Sequence, residues 1–137
     1  MPFFGQEIFE RAQAKGTLRD PAYLKARDAA LRLARTEGLL AALERDRLDA
    51  IVAPSMSPAW PTDHLLGDHF VGAGYGMAAI AGTPSITVPM GDARGLPLGL
   101  TIMGRAYAEA DIIAVASAIE QATRARRAPQ YAPTLGG

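Results

Sequence analysis

The sequence predicts an α/β domain: a small mixed sheet of about three strands, covered by helices. Two observations carry this. Residues 1–48 read as helical by periodicity, whereas residues 49–137 alternate short apolar runs with Pro and Gly punctuation and one long amphipathic stretch. The length of 137 residues fits one domain, and 49% hydrophobic against 20% charged residues fits a packed core rather than a disordered chain.

The elements follow in order. Phe4 to Lys15 reads as a short amphipathic helix closed by Gly16. Asp20-Pro21 marks the next start, with an oxygen acceptor at the cap and a pre-set φ at the first helical position. From there Tyr23, Ala26, Ala30, Leu33 and Ala34 share a narrow, Ala-rich face suited to close packing. Gly38 is expected to break this helix, leaving Leu39 to Arg45 as a further turn or two. Ala50–Ala53, Ser85–Val88 and Leu98–Met103 read as strands covered on both faces. The long connection between the first two carries a helix, Tyr75 to Ala81, and suits a crossover between parallel strands. Met90 to Pro97 has no room for a helix, so the second and third strands are expected to pair antiparallel. Ile112, Ile113, Ala116, Ile119 and Thr123 recur at helical spacing from Glu109 to Arg126, before Pro129. Arg124, Arg126 and Arg127 fall where a cation favours the helix C-terminus, and Arg105 is placed to pair with Glu109. Three strands apolar on both faces leave two open edges, which suggests a piece of a larger sheet.

Composition excludes several functions. Fourteen Lys+Arg balance fourteen Asp+Glu, so no general attraction to nucleic acid or an anionic membrane is expected. Without cysteine there is no disulfide, thiolate metal site or thiol nucleophile. The opening residues lack the basic and apolar regions of a signal peptide, and no apolar run approaches the ~18 residues of a membrane span. The cytoplasm is the expected compartment.

Several blocks occur in a distinctive order. They are Asp49-Ala50-Ile51-Val52-Ala53-Pro54, Pro58-Ala59-Trp60-Pro61, and Ala78-Ala79-Ile80-Ala81-Gly82-Thr83-Pro84-Ser85-Ile86-Thr87-Val88-Pro89. They continue as Gly95-Leu96-Pro97-Leu98-Gly99-Leu100, Gly104-Arg105 and Glu120-Gln121-Ala122-Thr123. This order resembles the C-terminal part of the amidase signature family, and Phe3-Phe4-Gly5-Gln6-Glu7 resembles an interior segment just before it. The resemblance implies a share in a larger α/β/α sandwich and hydrolysis of small carboxamides. It also implies a serine nucleophile, a second serine on a cis peptide and a lysine base, drawn from a Gly/Ser-rich region upstream of the part seen here. No such stretch occurs: Ser55, Ser57, Ser85 and Ser117 have no glycine neighbours, and Lys15 and Lys25 fall on N-terminal helices. A serine without a base at hydrogen-bond reach is a poor nucleophile, so no catalytic residue is assigned. Trp60, Asp63 and Tyr75, on the loop after the first strand, are the candidate substrate contacts that the resemblance implies.

Other constellations are weaker. Asp63-His64 and Asp68-His69 suggest a metal, but the two histidines lie five apart with no third ligand marked. Neither Ser55 nor Ser57 sits in a nucleophile elbow that either histidine could serve. Gly72-Ala73-Gly74-Tyr75-Gly76 lacks the strand before it and the third glycine of a dinucleotide loop. Neither cofactor nor metal is therefore expected. The reading is a C-terminal amidase segment: a truncated product, an expressed fragment or one half of a split enzyme. Its partner is the missing N-terminal amidase part. The rival is a free-standing, non-catalytic, self-associating module, and in both cases a homo-oligomer is expected.

Overall fold

A computed structural model describes residues 5–129 and 131. Phe3 and Phe4, with which the first helix and the upstream segment were expected to open, lie outside the described residues. Helix α1 spans Glu7–Gln13 and buries no residue. Helix α2 spans Pro21–Leu31, and the Asp20 carboxylate accepts from the Ala22 N–H at 2.8 Å, the cap that the Asp-Pro pair announces.

Gly38 does not break the helix. A π-helical segment, Arg32–Leu39, carries the chain without interruption into α3, Leu40–Arg45. A Cβ on Gly38 would stand 2.5 Å from the Leu33 carbonyl oxygen, so glycine here permits the wide turn to close on itself. The same winding brings residues five apart together, and Arg32 reaches Glu37 at 2.5 Å. The turn also aims Leu39 and Leu43 inward, both fully buried.

Strand β1 is Ile51–Pro54, followed by helix α4, Gly76–Ala81, strands β2, Ser85–Ala93, and β3, Leu96–Met103, and helix α5, Glu109–Thr123. The sheet order is β1-β3-β2. Both adjacent pairings are antiparallel. The expected antiparallel pairing of the last two strands is present. The first two do run the same way, but β3 lies between them, so their parallel relation involves no shared ladder. Local reading cannot foresee that insertion, because apolar content does not encode neighbour order.

The β2–β3 hairpin is longer than its apolar runs. Arg94 and Gly95, at φ 54° and 81°, make a two-residue turn with both φ positive, the twist that suits a hairpin. The Asp92 carboxylate accepts from the Gly95 N–H at 2.9 Å and steadies that turn. A bulge between Pro89 and Gly91 shifts the register nearer the sheet.

Opposite faces of β3 feed two cores. One gathers Leu39, Leu43, Ala78, Ala81 and Met103, with Ile51 and Ala53 against them. The other gathers Val88, Ile102, Ile112 and Ala116 beneath α5. Helix α5 ends at Thr123, where Arg124 turns left-handed (φ 46°) and donates its N–H to the Glu120 carbonyl. This is well short of Pro129, and no basic side chain lies in the last helical turn. Arg127 instead faces Asp92 at 3.8 Å across the exposed hairpin.

Arg105 does not pair with Glu109. Its guanidinium donates to the carbonyls of Leu48 at 2.8 Å and Leu43 at 3.1 Å. It thereby satisfies acceptors at the C-terminal end of α3, where a cation meets the negative end of the helix. No helix among the described residues is long and apolar enough to cross a membrane.

Candidate functional site

Beyond β1 the chain makes a long loop whose two ends are stitched together. Ser55 N–H donates to the Gly99 carbonyl at 2.7 Å, continuing the β1–β3 ladder by one residue. Ser57 N–H donates to Gly72 at 3.1 Å, and Gly74 N–H to Pro54 at 3.0 Å and Ser55 at 3.2 Å. The returning end of the loop lies so close that a Cβ on Gly74 would fall 2.5 Å from both the Ala53 Cβ and the Pro54 oxygen. Glycine at 74 is thus a close-approach residue, not part of a phosphate loop.

Within this loop Trp60 packs edge-on against Phe70, with ring centroids 6.4 Å apart, and its indole N–H donates to Asp68 at 3.3 Å. Asp63 Oδ1 accepts from the N–H groups of Leu65 at 2.8 Å and Leu66 at 2.9 Å. Those two N–H donors hold its carboxyl below the usual range for aspartate. Tyr75 stands half exposed at the residue before α4.

A group whose pKa is lowered by folding stabilises the fold above its unfolded pKa. That stability is lost as pH falls through the folded value. Acidification from about pH 4 downward is therefore expected to loosen the 63–67 turn before the sheet melts. Trp60, the only tryptophan, reports it. Its fluorescence should change on acidification in the unaltered chain, and in Asp63→Ala it should show the loosened signal already at neutral pH.

Two concavities flank this region. One of about 490 Å³ lies between the stitched loop and the hairpin, with walls that include Pro54, Met56, Val71, Met90 and Leu98. Its lining is almost wholly apolar, with two flexible methionine side chains able to adapt to a guest. A broader one, about 850 Å³, lies at the hairpin end, where Pro89, Gly91 and Asp92 face Arg126, Arg127 and Tyr131. Trp60, Asp63 and Tyr75 line neither. The three share a loop but are not gathered around one cavity.

Sequence reading did not single out Met56, Met90 or Leu98 for the groove, since they come from three separate segments. It also missed a hydroxyl cluster. Thr101 is buried in the middle strand, and its Oγ1 lies 2.7 Å from Ser55 Oγ and 3.0 Å from Thr87 Oγ1. Gly99 leaves room for it, because a Cβ there would be 2.8 Å from Ser55 Oγ. Register is the signal that reveals this cluster, and only the pairing of Thr101 with Thr87 and Ala53 supplies it.

A three-strand sheet with helices on both faces, and an apolar groove at a strand end, define an α/β protein with room for a small organic guest. The Amidase family model matches residues 2–113, and the chain belongs to that family. The likeness extends to solved structures. A peptide amidase in complex with the competitive inhibitor chymostatin is 51% identical, with a TM-score of 0.90 over 96% of this chain and 27% of its own. The native peptide amidase of Stenotrophomonas maltophilia is 50% identical, with a TM-score of 0.86 over 96% of this chain and 26% of its own. Among curated relatives, a Glutamyl-tRNA(Gln) amidotransferase subunit from Gluconobacter oxydans is 40% identical over 78 residues, 56% of this chain and 15% of that protein. The Fatty acid amide hydrolase of Arabidopsis thaliana is 45% identical over 53 residues, 38% of this chain and 9% of that protein. The chain thus spans about a quarter of the peptide amidases and less of these curated relatives.

Proposed function

We propose that this chain is the C-terminal, pocket-lining portion of a hydrolase of non-peptide carboxamide bonds, acting with a nucleophile and base carried by other polypeptide. The likeness to peptide amidases over 96% of the chain carries this reading and makes peptide amides the first substrates to try. The apolar groove is suited to the organic part of such a substrate. Trp60, Asp63 and Tyr75, which do not line the groove, are proposed contacts for a part of the substrate that extends beyond it. The cytoplasm is the proposed compartment.

Hydrogen bonding supports placing the nucleophile elsewhere. Ser55 is bonded to threonine hydroxyls, Ser117 accepts from the Gln121 amide at 2.9 Å, and the Ser57 hydroxyl is shut away from solvent. None of these is activated by a base. The purified chain is expected to release no ammonia from a dipeptide amide above a heat-killed control. Joined to the remaining three-quarters of a peptide amidase, it is expected to turn that substrate over. Turnover by the chain alone would overturn its catalytic incompleteness, and silence from the joined protein would overturn the amidase reading.

A further inference from the structure

Two stretches of chain wall the apolar groove, and one set of side chains ties them together. The chain on either side of Ser55 supplies Pro54, Met56 and Ser57, and the hairpin supplies Met90 and Leu98. Ser55 itself does not line the groove. Its hydroxyl turns instead to Thr101 at 2.7 Å and to Thr87 at 3.5 Å, and the two threonine hydroxyls lie 3.0 Å apart. Thr87 stands three residues before Met90 on β2, and Thr101 three residues after Leu98 on β3. The three hydroxyls therefore join the wall that leaves β1 to both strands of the hairpin.

These hydroxyls can close into a ring. Each has one proton to give and lone pairs to accept with. Ser55 donates to Thr87, which leaves Thr87 to donate to Thr101 and Thr101 to Ser55, so every proton is used inside the cluster. Thr101 is 1% exposed, so water does not replace a partner lost there. Gly99 keeps the slot open, because a Cβ on it would fall 2.8 Å from both Ser55 Oγ and Thr87 Cγ2. Past Pro54 the backbone gives this wall one bond to β3, from Ser55 N–H to the Gly99 carbonyl. A single bond is a pivot. The ring adds a second attachment and fixes the angle at which Met56 meets Met90 and Leu98.

We propose that Thr101 is a positioning residue: through Ser55 it sets the width of the groove, and with it the selection of the apolar group beside a substrate's carboxamide. This rests on the reading above, in which the groove seats the organic part of the substrate. Met56 and Met90 carry flexible side chains that alone would mould to guests of many sizes. Walls held at a fixed gap reward a guest that fills the gap and leave a small one without contacts on one side. A wall free to swing closes on the small guest too, and the discrimination shrinks.

The test uses this chain with isotope-labelled methionine methyls and two simple carboxamides, propionamide and its phenyl derivative hydrocinnamamide. In the unaltered chain hydrocinnamamide should shift the Met56 and Met90 methyl resonances and bind at least about tenfold more tightly than propionamide. Thr101→Val keeps the side-chain shape but removes the hydroxyl, and should cut that ratio by about threefold or more. Ser55→Ala breaks the same ring from a partly buried site and should do likewise if the first variant fails to fold. Thr101→Ser keeps the hydroxyl and should hold the ratio near its original value. An unchanged ratio in either folded ring-broken variant, an equal fall in Thr101→Ser, or Met56 and Met90 methyls that answer to neither amide would each overturn the proposal. Because binding is read without turnover, a ratio that follows the ring in a chain whose joined form releases no ammonia counts against the hydrolase reading alone.

Discussion

Replacing Ile102 by alanine is expected to destabilise the chain by about 3–4 kcal/mol. Ile102 is fully buried in the central strand and packs in the cluster formed with Val88, Ile112 and Ala116. Its neighbours on both sides, Val52 and Ile86, are fixed by the ladder, so the surroundings cannot collapse into the space left behind. Domains of this size hold only about 5–15 kcal/mol in all, and the loss should lower the melting temperature by about 10 °C. Ile102→Val removes one methylene and should cost about 1 kcal/mol. Urea denaturation of the two variants checks both the size and the order. Equal midpoints for Ile102→Ala and the unaltered chain would show that this core is not packed as described.

Gly74→Ala is expected to open the loop rather than unfold the sheet. The added Cβ would lie 2.5 Å from the Ala53 Cβ and from the Pro54 oxygen. Neither is the tip of a flexible side chain, so the loop itself must retreat. Retreat breaks the two bonds that Gly74 N–H makes to Pro54 and Ser55. Overpacking of this kind costs about 1–3 kcal/mol. Gly72, Ala73 and Gly74 form one side of the 490 Å³ groove. In an assembled amidase the substitution should therefore cut kcat/KM for peptide amides by about tenfold or more, while Gly76→Ala, which meets open space outside the groove, should leave it near normal. Similar losses in both variants would detach the groove from substrate binding.

Much of the fold was legible in local chemistry. Asp20-Pro21 caps α2, and the spacing of Ile112 and Ala116 marks the face of α5 that enters the core. The strand cores of β1, β2 and β3 stood out between their Pro and Gly boundaries. What failed was whatever depends on distant chain. Gly38 looks like a breaker because glycine is poor in helices, but the π winding brings its backbone against Leu33. Arg105 looks like a partner for Glu109 four residues on, but two carbonyls more than fifty residues earlier take its hydrogen bonds. The candidate site divides in the same way. The loop that carries Trp60, Asp63 and Tyr75 could be picked out, whereas the groove and the Ser55–Thr87–Thr101 cluster depend on register, which composition does not carry.

The insertion of β3 between β1 and β2 has a consequence during synthesis. Pro54 leaves the ribosome well before Met103, yet β1 has no ladder until β3 is complete. At about 5–20 residues per second the nascent chain carries an apolar, unpaired Ile51–Pro54 for several seconds. Recovery of intact protein from cells should therefore depend on how long that interval lasts, and so on the rate of translation across the hairpin.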